Sequence, residues 1–362
     1  MVERLGDEAA AHASALHASS LIIVSHTDFA PMVASRRTAG HAPVLAHDHL
    51  PLLRQGNVTA FCDHVAGDTP YLVDFPFRGT LAANRLKWAM QALSSMWLEV
   101  QASPDELVIA TDVPTILEAR ATGKIALVLS FEGAGPIEDD PSLLTAFHRL
   151  GLRCVGLTHD FRNLLADGVR TGAAGGLTEF GRDVVREMNR IGLVIDVSHL
   201  NESGFWDVAK HSTAPLHASH SNCARICPSP RNLSDDMLRA IADSGGVVGF
   251  HALGALVQPA QGRPSIHALM AHLDHMLEVM GDDHVAIGPD IMEHYPDREY
   301  RMIWNPALPT ARLDFQYPPE FDSLAKLPNL TLEMVRHGYS DQTVVKILGG
   351  NMLRLFSETW KA

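Results

Sequence analysis

Two short apolar runs, Leu193-Val-Ile-Asp-Val197 and Ala214-Pro-Leu-His-Ala218, each end in the dipeptide Ser-His, which sets His199 and His220 at corresponding positions. Neutral imidazoles that converge on one point can bind a divalent metal; the plainer alternative is a pair of hydrogen-bonded core histidines. The pattern recurs along the chain. Leu21-Ile-Ile-Val24 runs into His26-Thr27-Asp28, whose alternate side chains point the same way on an extended segment and can reach one ion. Ile125 to Phe131 runs into Glu132, Arg153 to Thr158 into His159, and Val285-Ala-Ile287 reaches Asp290 after Gly-Pro. Any one of these carries little weight in a chain with 20 histidines. Seven metal-type side chains at the ends of six apolar runs carry more, since several buried polar groups would go unpaired without an ion. A rival pair, His47-Asp48-His49, lacks a preceding β-branched run and reads as a surface loop entering a turn.

The elements that must position these residues can be read from the same runs. Stretches of five or six apolar, β-branched residues are what strands buried on both faces look like, as in parallel sheets. Eight candidates, near residues 21, 58, 125, 153, 193, 214, 247 and 285, alternate with helical patterns. That alternation predicts an α/β protein, a closed (β/α)8 TIM-type barrel, rather than an open doubly wound sheet. In such barrels the chemistry gathers at the C-terminal strand ends, where the seven side chains lie. The expected organisation is one domain over 1–362, with an N-terminal helix over 1–20 and an irregular, proline-rich insertion over 295–328. Closing helices are expected over 329–362, at Leu330 to Leu348 and Asn351 to Thr359. Leu86, Met90, Leu93, Trp97 and Val100, at steps of four and three, predict the core face of a long helix. Gly123, Gly151 and Gly192 are placed to end helices, and Ser234 to cap one.

Composition narrows the function. With 46% apolar and 20% charged residues, the chain can bury an ordinary globular core. A net charge of −13 without any basic run argues against a nucleic-acid partner. No G-x-G-x-x-G follows a strand and there is no P-loop, so a nucleotide cofactor has no support. Four cysteines without C-x-x-C spacing suit a reducing compartment, as small buried hydrophobes. No apolar run approaches the roughly 18 residues of a membrane span, and the first residues are acidic where a signal peptide would be basic. A cytoplasmic protein with no membrane partner is expected, either as a monomer or as a homodimer or higher homo-oligomer.

The motifs Ser25-His-Thr-Asp28, Phe131-Glu-Gly133, Leu157-Thr-His159, Glu187 to His199, Ser219-His-Ser221, Pro230-Arg-Asn232 and Lys346 to Asn351 stand in this order along nearly the whole chain. Together they resemble the renal-type (membrane) dipeptidase family, within the metal-dependent amidohydrolase-like barrels. The resemblance implies that His26, Asp28 and Glu132 hold one zinc and Glu132, His199 and His220 another, with Glu132 bridging the two. It further implies that His159 polarises the scissile carbonyl or binds its oxyanion, Arg231 pairs with the substrate's carboxylate, and Asp290 handles the proton of a metal-bridging hydroxide. The implied activity is zinc-dependent hydrolysis of dipeptides. The residue types suit it, since paired ions activate water, a carboxylate can protonate the leaving amine, and a guanidinium binds a free C-terminus in a bidentate way. One departure stands out: the family's Phe-Asp-Gly after the last strand's aspartate is replaced here by Ile291-Met-Glu293, with Pro289 before Asp290. That departure motivates an alternative substrate, another small amide or cyclic amide. A metal-binding protein without turnover is a third reading. For Arg231 the plain alternative is a tie between its loop and Asp235 or Asp236.

Overall fold

The computed structural model describes residues 2–68, 85–171, 175–258, 262–293 and 316–361. At its centre lie parallel strands β1 (Ile23–Thr27), β2 (Ala60–Gly67), β3 (Leu107–Ile109), β4 (Ile125–Glu132), β5 (Leu152–Gly156), β6 (Val194–Asp196), β7 (Leu216–Ala218), β8 (Val247–Phe250) and β9 (Val285–Ile287). The order β2-β1-β9-β8-β7-β6-β5-β4 closes on itself, because β4 also pairs with β2 from Ala60 beside Ala126 to Gly67 beside Glu132. The fold is thus the expected (β/α)8 TIM-type barrel, and its eight ring strands are the eight runs read from the sequence. Closure needs Gly67, since a Cβ there would lie 1.8 Å from the Glu132 carbonyl oxygen. The short β3, which among the described residues pairs only with β4, was not expected. Three residues after Asp105-Glu106 are too few to show a period.

Helices cover the ring: α1 (Val2–Ser19), α2 (Phe29–Thr38), α3 (Leu50–Gln55), α4 (Arg85–Ala102), α5 (Val113–Thr122), α6 (Leu143–Arg149), α7 (Glu179–Ile191), α8 (Glu202–His211), α9 (Asp235–Asp243), α10 (Gly254–Val257) and α11 (Ile266–Met280). Ser234 caps α9 by accepting the Met237 N–H, and Gly192 ends α7 in the left-handed region, both as expected. Ile23, Cys62, Val128, Cys154, Val194, Val247 and Ala286 form one apolar cluster with Met352, Leu355 and Phe356 of the C-terminal helix Asn351–Thr359. One strand step of two residues carries this face from apolar to polar, from Cys62 to His64, from Val194 to Asp196, and over two steps from Val128 through Ser130 to Glu132. Apolar packing closes one end and chemistry gathers at the other.

Several expectations need correction. On α4, Met90 and Trp97 are exposed, and the buried face is Trp88, Ala89, Ala92, Leu93, Met96 and Glu99. Of the predicted stripe, Leu93 is buried and Leu86 and Val100 pack against the core, while the unexpected member of the buried face is Glu99, which accepts the Leu45 N–H at 2.7 Å and pairs with Arg37. The single helix expected from Leu330 to Leu348 is broken: Leu327–Arg336 ends before Gly338, at φ +82°, and Asp341–Val345 and a π-helical turn, Lys346–Gly350, follow. His47 to His49 is not a surface loop but the end of a π-helical turn, Leu45–His49; His49 is fully buried and stacked on Phe29 with ring centroids 3.9 Å apart. The expected insertion falls mostly outside the described residues, and its last part carries the short turns Pro319–Phe321 and Leu324–Lys326.

Candidate metal centre

Glu132 ends β4 on the inward face, and His199 and His220 come from the turns after β6 and β7. The two Nε2 atoms lie 2.9 Å apart, and Glu132 Oε1 lies 3.0 Å from the first and 3.5 Å from the second. The other ring nitrogens decide what faces inward. His199 Nδ1 lies 2.8 Å from an Asp160 carboxylate oxygen, so it carries the hydrogen. Ser219 Oγ gives its own hydrogen to Asp196 Oδ2 at 2.5 Å and must therefore accept from His220 Nδ1 at 2.8 Å. Both Nε2 atoms then present lone pairs to each other and to a carboxylate. Burial lowers the pKa of both histidines, His220 well below its usual value, so neither is held protonated. Three acceptors converging without a hydrogen between them form a donor set that fits a divalent cation, with tautomers fixed from outside as metal-binding histidines require. Backbone strain accompanies this: His199 sits at φ +66°, a region non-glycine residues seldom occupy.

The second half of the centre is built on β1. His26 Nε2 lies 3.2 Å from Asp28 Oδ2 and 3.5 Å from Asp290 Oδ1. Burial alone would lower the pKa of His26, but these two carboxylates outweigh it and hold it well above the ordinary value. Asp28 occupies the N-cap position of α2 yet makes no capping bond to it. Asp63, from β2, does that work: it accepts from the Thr27 hydroxyl at 2.8 Å and from the Phe29 and Ala30 N–H groups at 2.7 and 3.0 Å. The Asp28 carboxylate is thereby left aimed at His26. His64, also on β2 and buried, lies against His26 with ring centroids 4.1 Å apart and the rings tilted by 34°. One of its nitrogens lies within 4.8 Å of donor atoms on both His26 and Asp28, while its Nδ1 has no hydrogen-bond partner among the described residues. Glu132 groups with His26 and His220 on one side and with His159 and His199 on the other.

Around this core stand the remaining predicted residues. His159 Nε2 is 3.6 Å from Glu132 Oε2, and its ring stacks on His199. Asp290 sits at φ +51°, with Tyr317 Oη donating to its carbonyl at 2.8 Å. Burial works against its ionisation, but His251 and His26 outweigh it and hold its carboxyl well below the usual range. Arg231 donates to the His220 carbonyl at 3.1 Å and lines a cleft of about 260 Å³ together with His199, Leu200 and Ser221. Asp235 and Asp236 pair instead with His275 and Arg239, so they do not tether Arg231.

All eight residues singled out in the sequence, His26, Asp28, Glu132, His159, His199, His220, Arg231 and Asp290, thus come to one mouth of the barrel, and His49 does not join them. Sequence reasoning missed four participants: Asp160 and Asp196, which orient His199 and His220, and His64 and His251. His251 directly follows β8, so the strand-end pattern that found the others also covers it. His64 lies inside a strand and gave no such signal.

The family model for membrane dipeptidases, peptidase family M19, matches residues 10–297. A Klebsiella pneumoniae protein described as an uncharacterized protein in the pqqA 5' region is 34% identical over 268 residues, which cover 72% of this chain and 91% of that one. Dipeptidase verJ of Clonostachys rogersoniana is 29% identical over 321 residues, or 86% of this chain and 75% of that one. Among solved structures, a Rhodobacter sphaeroides metallo peptidase liganded with a phosphinate mimic of the dipeptide L-Ala-D-Ala is 25% identical, with a TM-score of 0.79 over 94% of this chain and 100% of that chain. With four-fifths of its length matched and the barrel and donor set in place, this chain belongs to the membrane dipeptidase family, peptidase family M19.

Proposed function

We propose that this chain is a zinc-dependent dipeptidase whose two ions are held by His26, Asp28, Glu132, His199 and His220, with Glu132 shared between them. The observation that carries this reading is the convergence of His199 Nε2, His220 Nε2 and Glu132 Oε1 at 2.9 to 3.5 Å with both imidazole tautomers fixed by Asp160 and Ser219. Bound zinc ions would polarise the scissile carbonyl and bring a water to a nucleophilic state near neutral pH. The chain's own residues do the rest. Arg231, at the edge of the cleft, receives the substrate's C-terminal carboxylate, which selects short peptides with a free end. His159, beside Glu132, steadies the oxygen of the carbonyl under attack. Asp290 takes the water's proton and returns it to the departing amine. Four free, buried cysteines support work in a reducing compartment, the cytoplasm.

A second reading, hydrolysis of another small amide or cyclic amide, is favoured by the segment after Asp290. There Ile291 is buried and Glu293 accepts the Leu324 N–H at 2.6 Å, which ties the loop down beside the site. A panel of L,L and L,D dipeptides, each free and C-terminally amidated, offered to the zinc-loaded protein and to Arg231→Ala, separates the readings. Loss of the carboxylate pair should cost about 1.5 to 3 kcal/mol, roughly ten- to a hundredfold in kcat/KM, and the mutation should erase the preference for free ends. Independent, additive losses from mutation and amidation would refute carboxylate recognition, and no turnover of any dipeptide would refute the dipeptidase reading.

A further inference from the structure

His251, at the end of β8, is buried and lies between two partners. Its Nδ1 accepts the Leu253 backbone N–H at 3.0 Å, so that nitrogen is bare and the hydrogen sits on Nε2. Its Nε2 lies 3.1 Å from Asp290 Oδ2. The backbone is clamped as firmly: Asn222 accepts the His251 N–H at 3.0 Å and donates to the His251 carbonyl at 2.9 Å. The Ala252 N–H also reaches the Pro289 carbonyl at 3.1 Å, which joins this strand end to the one that carries Asp290. His220, His251 and Asp290 lie close enough to suggest one more cation site, but the tautomer argues against it. The nitrogen facing Asp290 is a donor, and the other is already engaged. His199 and His220 have the opposite arrangement, with Nδ1 set against acceptors and Nε2 bare. The partner of Nδ1 sorts the three histidines into two ligands and one donor.

We propose that His251 is a positioning residue for the proton-handling carboxylate: its Nε2–H holds Asp290 Oδ2, leaving Oδ1, the oxygen nearer His26, as the one that takes up and returns the proton. This rests on the reading of Asp290 as the group that accepts a proton from the attacking water and delivers it to the amine as the C–N bond breaks. A carboxylate on a left-handed residue at a strand end has two rotamer-equivalent oxygens, and fixing one of them removes a rotation that would otherwise carry the reactive oxygen away from the water.

The test compares the zinc-loaded parent with His251→Met, which removes the donor at similar volume, and His251→Gln, whose amide N–H reaches about where Nε2–H was. The expected result for the Met variant is a ten- to a hundredfold fall in kcat, the size of loss typical of outer partners in metal sites, with KM within about twofold and the metal content unchanged. The Gln variant should recover most of that loss. A Met variant at the parent's kcat, a Met variant that loses an ion, or a Gln variant no better than Met would each overturn the proposal. A variant that fails to fold leaves the tautomer as the arbiter. In 15N-labelled parent protein the His251 ring, identified by the signal that disappears in whichever variant folds or by direct assignment, should carry its hydrogen on Nε2, and a hydrogen on Nδ1 would overturn the proposal without any mutant. A parent that turns over no dipeptide would sink the dipeptidase reading, whereas an active parent with an equally fast Met variant sinks only this one.

Discussion

Glu132 holds the centre together, since both oxygens face histidines and its backbone carbonyl abuts Gly67 of the neighbouring strand. Replacing it with glutamine keeps the shape and removes the charge that two cations would share. Elemental analysis of Glu132→Gln should therefore find both ions depleted together, whereas His49→Ala should keep full metal content and lose stability, because its ring packs on Phe29. Loss of an ion in the His49 variant would mean that the first ligand pair has been placed on the wrong motif. Asp290→Asn should retain its metals and its fold while kcat falls by about 10² to 10⁴, as for a lost general acid–base group. Asparagine suits this test because it tolerates the left-handed backbone that Asp290 adopts. A variant with normal kcat and a lowered melting temperature would make Asp290 a structural acceptor instead. At this scale the sequence was most informative where a polar residue ended an apolar run. The orienting groups stayed hidden, since Asp196 sits within such a run and Asp160 beside a histidine already explained. Their roles depend on orientation rather than on residue type: Asp160 faces His199 Nδ1, and Asp196 acts through the Ser219 hydroxyl that meets His220 Nδ1.

The turn from β1 to α2 shows how an element serves a site. Its helix start is satisfied by Asp63 from the adjacent strand, so that Asp28 can point elsewhere. Asp63→Ala would strand the Phe29 and Ala30 N–H groups in a buried place, and a loss of about 1 to 3 kcal/mol for an orphaned buried donor is expected in urea unfolding. The metal bound through His26 and Asp28 should weaken at the same time, while the site at His199 and His220 should not. Equal weakening of both sites would mean that the turn does not act locally. None of this was legible beforehand, because a cap supplied from another strand leaves no local signature, unlike Ser234 before α9. The misjudged face of α4 has a related cause. A buried Glu99, paired with Arg37 and the Leu45 N–H, takes a place on the face that Met90 and Trp97 were expected to share, and that pairing is long-range.

Over the whole molecule, the barrel was readable because a closed parallel ring forces each strand to be apolar on both faces, and the count of such runs equals the count of ring strands. The proposed ligands sit at the ends of β1 and β4 and in the turns after β6 and β7, spread around the ring, so ions bound there should hold the ring closed. Chelation should lower the melting temperature reversibly. Ions present at a thousandfold over their Kd would contribute about 4 kcal/mol by mass action, and the shift should scale with the logarithm of free zinc. A melting temperature indifferent to chelator would mean that the convergent histidines are satisfied without a cation. The central claim is that two ions share Glu132 at the mouth of this barrel. Anomalous diffraction from zinc-loaded crystals, collected at the zinc absorption edge, tests it directly. Two peaks flanking the Glu132 carboxylate are predicted, one against His26 and Asp28 and the other against His199 and His220, and a single peak, or peaks that do not touch Glu132, would contradict it.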